Sequence, residues 1–363
     1  MKANMKRIDD TLHRLLRNGK TPSVQYLLFD QDQIIHQYGE GFADIGSQTM
    51  SDEKTFYNAF SVTKTFTALA VLQLVEKRKV DLNKSAAIYL DNFPYSEEPT
   101  VRQLLSHTAG IPNPNPLPWI HPAKDHPEFD RDLFFRKVFK KHAKLRSAPN
   151  KKFAYSNLGY VLLGQLIEQV SGLKYEDYLW KHVLEPLGLS QTEIDFTVPD
   201  SGRMAKGYHK KVSLLNWIMG IYIDKKVYRG RAEGKWQPFR PYHLNGTSYG
   251  GLIGTPLAFM KYAQELLKEK CSLISPEYKQ LLFTENLTVD NKSTGMCLSW
   301  FTNHLNGETY FAHAGGGGGY YCEVRMYPNA GIGSVIMFNR SGMTNEKILN
   351  KLDKFYFSPP QIT

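Results

Sequence analysis

The sequence contains few cysteines and no apolar stretch long enough to span a membrane. Only three cysteines occur among the 363 residues (Cys271, Cys297 and Cys322). This odd number, without metal-ligand spacing, indicates neither a disulfide framework nor a zinc site, so we expect buried thiols. No apolar run approaches the roughly 20 residues of a transmembrane helix. Residues 1–16 are rich in charge and lack the apolar core of a secretory signal. The chain as given is therefore expected in the cytoplasm, or in the periplasm or outside the cell if a leader was removed.

Acidic residues are outnumbered, and a recognised nucleic-acid-binding motif is lacking. Lys and Arg total 45, Asp and Glu total 35, and the formal net charge is +10. Such an excess permits binding to nucleic acid, an anionic membrane or an acidic substrate. The densest basic stretch, residues 136–146, alternates with apolar residues and predicts an amphipathic helix with a solvated face. We therefore expect no nucleic-acid partner.

Patterns of apolar residues predict strands near both ends of the chain and helices in the middle. Residues 23–29 and 33–38 surround a polar turn and predict a hairpin. Later segments predict an antiparallel meander: 296–301, 309–312, 320–327 and 331–338. Helices are predicted in 61–75, 101–105, 158–170, 175–184, 256–267 and 346–357. No internal repeat is evident, and the length permits one large domain or two.

Ser61 and Lys64 lie at the start of the helix predicted over residues 61–75. Side chains three residues apart share a helix face, so these two are close enough to exchange a proton. The helix N-terminus, with its partial positive charge and free N–H groups, favours an oxyanion there. Lys64 can act as a base only if neutral, and burial beside positive charge would lower its pKa in that direction. Ser-x-x-Lys is also common by chance: residues 51–54 match it, in a polar stretch that indicates a surface loop.

Two other segments have unusual composition. Residues 112–127 contain six prolines, so they can form neither a regular helix nor a central strand. We interpret them as a stiff surface loop, with a role in lining a substrate cleft as the second possibility. Residues 212–242 combine aromatic and cationic side chains, Trp217 among them. Core packing explains most of these aromatic residues, and a lid over a site or a surface for lipid or protein is the alternative.

Two short motifs occur far from Ser61. Tyr155 and Asn157 flank a serine just before a predicted helix. His313-Ala-Gly opens a run of five glycines that follows a predicted strand. Glycines beside a strand permit a substrate backbone to approach closely, although a flexible hairpin turn would have the same composition. The Lys-Ser/Thr pair of a phosphate-binding loop is absent.

Taken in order, Ser61-x-x-Lys64, Tyr155-x-Asn157 and His313-x-Gly315 resemble the three motifs of the penicillin-recognising serine hydrolases. The resemblance is greatest to the branch with class C β-lactamases, serine D,D-carboxypeptidases, D-aminopeptidases and family VIII carboxylesterases. Residues 104–110 and 249–255 are similar to the "LLSHTSG" and "GGL-ST" segments of that branch, and the similarity runs from about residue 25 to 345.

This resemblance implies an α+β fold of the β-lactamase/transpeptidase type, in which an antiparallel sheet flanked by helices is joined to a mostly helical subdomain. We assign residues 1–78 and 245–363 to the sheet subdomain and residues 79–244 to the helical insertion. The active site would lie at their interface.

The resemblance also implies a mechanism that needs neither metal nor cofactor. Ser61 would attack a carbonyl and become acylated, and Lys64 with Tyr155 would pass its proton to the leaving group. The N–H groups of Ser61 and Gly316 would form the oxyanion hole, beside Gly315. Asn157 would orient the substrate amide. His313 stands where many relatives have lysine, and it is expected to hydrogen-bond Tyr155.

Ala314 departs from the family pattern, because relatives often have a threonine or serine there that contacts a substrate carboxylate. Its missing hydroxyl favours an esterase or peptidase over a β-lactamase, with a small molecule or peptide as substrate. The choice among ester, D-peptide and β-lactam, and the oligomeric state, stay open. One alternative is a non-catalytic ligand-binding or sensor module. A minor alternative is an α/β-hydrolase elbow at Ser248 (Gly-x-Ser-x-Gly), with Asp290 and His304 or His313.

Overall fold

The computed structural model describes residues 2–95, 99–198, 201–213, 216, 221–343 and 347–358. Its α-helices are α1 (Lys2–Arg17), α2 (Thr63–Glu76), α3 (Val101–Leu105), α4 (Arg131–Lys141), α5 (Asn157–Ser171), α6 (Tyr175–Leu179), α7 (Lys225–Tyr228), α8 (Pro256–Leu267), α9 (Pro276–Leu282) and α10 (Ile348–Phe357). Its strands are β1 (Ser23–Asp30), β2 (Ile34–Asp44), β3 (Thr49–Met50), β4 (Tyr57–Asn58), β5 (Ile120–Pro122), β6 (Ile194–Asp195), β7 (Tyr208–Lys210), β8 (Trp236–Pro238), β9 (Tyr242–Leu244), β10 (Ile253–Gly254), β11 (Phe301–Leu305), β12 (Glu308–Gly317), β13 (Tyr320–Tyr327) and β14 (Ile332–Phe338). Short 3₁₀ turns include Phe60–Val62 and Ala123–Glu128, and a π-helical turn, Trp180–Leu184, continues α6.

A seven-stranded antiparallel sheet in the order β11-β12-β13-β14-β1-β2-β3 forms the main layer. Strands from the two ends of the chain meet in its middle, where Val24 pairs with Phe338. The predicted N-terminal hairpin is β1–β2, and the predicted meander is β12–β13–β14. The prediction of an α+β fold with an antiparallel sheet flanked by helices is confirmed.

The strand predicted over residues 296–301 is wrong. The strand β11 begins at Phe301, and the preceding residues form an irregular turn in which Ser299 has a φ of +72°. Met296, Cys297, Leu298 and Trp300 are all fully buried. Their apolar character therefore reflects enclosure in the core rather than strand pairing. The helix predicted to start at Glu346 is described from Ile348, because Glu346 lies outside the described residues.

Side chains of β1 alternate between two cores, one on each face of the sheet. Leu27 and Phe29 pack into the larger core with α2 and α8. Tyr26 and Leu28 pack into a second core together with residues of α1 and α10. Burial on both faces explains why Tyr26, Leu27, Leu28 and Phe29 form a continuous apolar run, without the polar alternation of a half-exposed strand.

The helix α2 runs through the larger core and is buried from Thr63 to Leu74. Apart from Lys64, Gln73 and Glu76, its residues are small or apolar on every side, which is the composition expected of a helix surrounded by other elements. The helix α5 packs beside it and has clear boundaries. Ser156 caps its first turn by accepting a hydrogen bond from the Gly159 N–H at 3.1 Å, and Gly172 ends it in the left-handed conformation.

The two segments of unusual composition contribute short ribbons. The proline-rich segment contains β5, which pairs with β9. The aromatic–basic segment contains β8, which pairs with β7, and its last residue begins β9. Trp217 lies outside the described residues. The basic stretch after residue 136 begins within α4, where Phe135 and Phe139 are buried while Lys137 and Lys140 are exposed, as predicted for an amphipathic helix. The subdomain limits at residues 78 and 245 stay a prediction.

None of the helices in the described ranges is both long and apolar enough to cross a lipid bilayer. The three cysteines are free thiols, with Cys297 and Cys322 buried and Cys271 half-buried.

Candidate active site

Ser61 lies in the tight turn that leads into α2. The turn begins at Phe60, which adopts a positive φ of +46°, a conformation that costs energy for a bulky residue and is typical of functional sites. One turn later, Lys64 brings its Nζ to 3.0 Å from Ser61 Oγ. The structure therefore brings the serine and the lysine of the first motif together.

Tyr155 approaches the same serine from the turn before α5, and its hydroxyl donates a hydrogen bond to Ser61 Oγ at 2.9 Å. The turn is held by His107, whose Nδ1 accepts a hydrogen bond from the Ser156 N–H and whose carbonyl accepts one from the Ala154 N–H. The His107 ring also lies on the Tyr155 ring, with 4.2 Å between their centroids. His107 thus fixes the position of the phenol.

Lys64 is fully buried in a pocket of aromatic rings. The ring centroids of Tyr155, Tyr160 and Tyr249 lie 5.0, 5.5 and 5.4 Å from its Nζ. Its Nζ donates a hydrogen bond to the Tyr249 carbonyl at 2.6 Å. Burial lowers the pKa of Lys64 well below its ordinary value, and this lowering comes from desolvation, not from the neighbouring positive charge that the sequence analysis had invoked.

Burial acts on Tyr155 in the opposite sense, because the charged form of a phenol is the deprotonated one. The pKa of Tyr155 is therefore raised above its ordinary value, and the hydrogen bond with Ser61 offsets this only in part. At neutral pH, Tyr155 keeps its proton while Lys64 is biased towards the neutral amine.

His313 lies on β12 and is buried, but the hydrogen bond expected between it and Tyr155 is not formed. Its Nδ1 instead donates to the Ser299 carbonyl at 2.5 Å, which leaves Nε2 without a protein partner. Burial, and then the nearby Lys64, lower the pKa of His313 to about 3. The imidazole is therefore neutral near physiological pH.

Strand β12 passes against the turn that carries Ser61, and Gly315 makes this approach possible. A Cβ at Gly315 would overlap the Ala59 carbonyl oxygen and lie only 2.6 Å from the Ser61 backbone nitrogen. The neighbouring residue Ala314 points to the other face of the sheet and packs against the second core. A hydroxyl at position 314 would therefore face away from Ser61 at this point of the strand, contrary to the substrate contact that we inferred for this position.

A cavity of about 120 Å³ opens beside Ser61. Asn157 and Gly316 line it, and the Asn157 side chain is buried with its Oδ1 unpartnered. The proline-rich segment supplies Pro116, Leu117 and Ile120, and the aromatic–basic segment supplies Ile223, Phe239 and Tyr242. Both segments whose role the sequence left open therefore form walls of this cavity.

The alternative nucleophile Ser248 is excluded by its surroundings. Its side chain is buried, and its hydroxyl donates to the Tyr160 carbonyl at 2.9 Å. Asp290 pairs with Lys151, and His304 is exposed and contacts Thr309. These groups are not assembled around Ser248, and the elbow interpretation is wrong.

Three neighbours of the site escaped the sequence analysis: His107, Tyr160 and Tyr249. A signal for Tyr160 was available, because it follows Asn157 by three residues on a predicted helix and so shares its face. His107 and Tyr249 lie within the two quoted family segments, but nothing in their sequence context indicates that His107 contacts Tyr155 or that Tyr249 contacts Lys64. In the described part of the chain, no group of three or more His, Cys, Asp or Glu side chains is arranged to hold a metal ion.

The fold and this arrangement of motifs correspond to the β-lactamases and penicillin-binding proteins. Residues 8–355 match the family model described as Beta-lactamase, and the chain belongs to the beta-lactamase family.

Similar proteins include "Protein flp" of Staphylococcus aureus (strain MW2), which is 24% identical over 96% of this chain. This chain spans 66% of that relative's length. Among solved structures, the octameric penicillin-binding protein homologue from Pyrococcus abyssi has a TM-score of 0.79 and 25% identity, and the match covers 97% of this chain and 77% of that one. EstCE1, "a hydrolase with promiscuous acyltransferase activity", shares the fold with a TM-score of 0.76 and 19% identity, over 98% of this chain and 99% of that one.

Proposed function

We propose that this chain is a serine hydrolase that cleaves an ester or amide bond through an acyl-enzyme on Ser61. The observation that carries the proposal is the position of Ser61 Oγ, 3.0 Å from Lys64 Nζ and 2.9 Å from the Tyr155 hydroxyl, at the wall of a cavity. The hydrolase named among the similar structures fits this proposal.

In the proposed reaction, Ser61 Oγ attacks the substrate carbonyl carbon while its proton moves to the lone pair of neutral Lys64. One N–H of this amine is donated to the Tyr249 carbonyl, which orients the amine. When the scissile C–O or C–N bond breaks, the proton returns from Lys64 through Tyr155 to the leaving group. Tyr155 acts as a relay because its raised pKa keeps it protonated between transfers. Water then attacks the acyl-serine ester and releases the acid.

The negative oxygen that forms during each attack needs hydrogen-bond donors. The N–H groups of Ser61 and Gly316 are the proposed pair, since β12 approaches the Ser61 turn closely at Gly315. Asn157, with a buried side chain at the cavity wall, is the proposed donor to the substrate carbonyl beyond the reacting bond.

The test is covalent labelling of the serine. We expect a fluorophosphonate to phosphonylate wild-type protein at Ser61, located by mass spectrometry of the labelled peptide, and Ser61→Ala to abolish the labelling. Ser51→Ala is the matched control, because Ser51 belongs to the second Ser-x-x-Lys sequence and hydrogen-bonds the Gly41 carbonyl in a loop. Labelling at another serine would overturn the assignment.

Hydrolysis of p-nitrophenyl butyrate, nitrocefin and a D-amino-acid amide then separates esterase, β-lactamase and peptidase activities. A non-catalytic sensor module predicts instead that wild type and Ser61→Ala are equally inert over this panel while a ligand still binds.

A further inference from the structure

The cavity beside Ser61 has no charged wall in the part of the chain that the structure describes. Its described lining residues are apolar, aromatic, glycine, Ser61 or Asn157, with no Lys, Arg, Asp, Glu or His side chain among them. The Tyr242 hydroxyl, a polar group of the wall, is already used to donate to the Gly318 carbonyl at 2.9 Å. The described wall therefore offers a substrate no charged side chain.

Five of the lining residues belong to a small apolar cluster of their own. Ile223 and Phe239 are both buried, and Leu117, Ile120 and Tyr242 pack against them. This cluster joins the proline-rich segment to the aromatic–basic segment, separate from the main core. Ile223 belongs to it although Ile221, two residues earlier, is 64% exposed.

The cations of the aromatic–basic segment do not compensate for this apolar surface. Lys225, Lys226 and Arg240 are exposed to solvent, and Arg240 donates to the Lys226 carbonyl. Arg229 donates to the Asn216 carbonyl. The segment therefore turns Ile223, Phe239 and Tyr242 to the cavity and directs these charges elsewhere, in spite of the net charge of +10.

From this arrangement we infer that Ile223 is a specificity-determining residue that, with Leu117 and Phe239, selects substrates whose group in the cavity is a short uncharged hydrocarbon. The inference rests on the proposed function and names its substrate class. A carboxylate in this position would lose its water without gaining a partner, which is strongly unfavourable. Substrates with a carboxylate in the cavity are therefore rejected.

Two comparisons of kcat/KM test the selectivity. From p-nitrophenyl acetate to butyrate, two more methylenes enter the cavity, and we expect a rise of about tenfold. Between p-nitrophenyl pentanoate and mono-p-nitrophenyl succinate, which are similar in size, we expect the charged ester to be poorer by about 100-fold. Equal rates for the charged and neutral esters would overturn the inference.

Charge insertion provides the residue-specific test. Ile223→Lys places a cation at the cavity wall, and we expect it to reduce the preference for pentanoate over succinate at least tenfold. Ile221→Lys adds the same charge at an exposed position two residues away and is expected to leave the preference unchanged. If both variants change the preference equally, the effect is one of general charge and Ile223 does not determine specificity.

Circular dichroism and thermal unfolding will show whether the lysine at position 223 disturbs folding. If it does, Ile223→Ala supplies a second variant. It is expected to move the optimum towards longer acyl chains, whereas Ile221→Ala is not. Fluorophosphonate labelling of Ser61 in each variant separates the two proposals. If Ser61 is labelled but the protein selects neither by acyl-chain length nor by charge, only this inference is contradicted. If Ser61 of the wild type is not labelled, the proposed function is contradicted and the inference with it.

Discussion

Replacing Gly315 by alanine tests how closely β12 must approach the nucleophile. The added methyl group would lie 2.6 Å from the Ser61 nitrogen and closer still to the Ala59 carbonyl oxygen, whereas ordinary contacts begin near 3.4 Å. Both neighbours are backbone atoms of the turn at residues 59–61 and cannot rotate away. The strand and the turn must therefore separate by about 1 Å, and a displacement of this size at a reacting centre costs on the order of 10²-fold in rate.

We therefore expect Gly315→Ala to lower kcat/KM for p-nitrophenyl butyrate about 100-fold, which corresponds to roughly 2.7 kcal/mol of transition-state stabilisation. The rate of fluorophosphonate labelling should fall with it, since both reactions need the same oxyanion donors. Gly331→Ala, in the turn between β13 and β14, is the control. Its φ of +65° makes alanine unfavourable, but a Cβ there meets nothing within 4 Å.

The two variants should differ in kind. Gly331→Ala is expected to lose about 1 kcal/mol of unfolding free energy and keep its kcat/KM, because the strain is remote from Ser61. Gly315→Ala should lose activity even when thermal unfolding shows it to be folded. Wild-type kcat/KM in a folded Gly315→Ala protein would refute the argument that this approach builds the site.

Three further predictions follow from burial at and near the site. Lys64→Met should lower kcat/KM by at least 10³-fold yet raise the unfolding free energy at pH 7. Burial depresses the pKa of Lys64, so the unfolded chain binds more protons than the folded one, and the wild type loses stability as the pH falls below 10.5. Chemical denaturation at several pH values should show this loss for the wild type and not for the methionine variant. Asn157→Ala should lower kcat/KM about tenfold without changing the unfolding free energy measured by denaturant titration, because the Asn157 Oδ1 has no protein partner to lose. A large loss of unfolding free energy would indicate a structural role. Burial lowers the pKa of His209 to about 4, so the contribution of this residue to folding stability is full above pH 6.5 and is lost as the pH falls from 6.5 towards 4. His209→Gln should flatten this part of the stability profile, as measured by chemical denaturation across the same pH range.

Local patterns were sufficient to predict the hairpin and the start of α2, because turn residues and helical spacing report directly on backbone geometry. The strand before the glycine run was predicted to end at Ala312, whereas β12 continues to Gly317. The pairing of Ser61 with Lys64 followed from the same spacing. The approach of Tyr155 to Ser61 was implied only by the family resemblance, since no local rule relates residues 94 positions apart.

Contacts that depend on tertiary enclosure could not be predicted. The apolar residues 296–300 have the composition of a strand, and only their burial on all sides shows why they form a turn. The partner of His313 was missed because the Ser299 carbonyl belongs to this same turn. The side on which Ala314 lies depends on the register of β12 with β13, in which Ala314 faces Glu323.

The pairing of β1 with β14 has a consequence for synthesis of the chain. Residues 23–30 emerge early, but the strand that covers their open edge ends only at Phe338. At about 5–20 residues per second, the growing chain carries the β1–β2 hairpin with one unpaired edge for on the order of half a minute. Such an edge is a template for pairing with other chains. Ser61 and Gly316 likewise meet only after most of the chain has been made, so an incomplete product stalled before β12 has the proposed nucleophile but lacks the proposed oxyanion donor of Gly316.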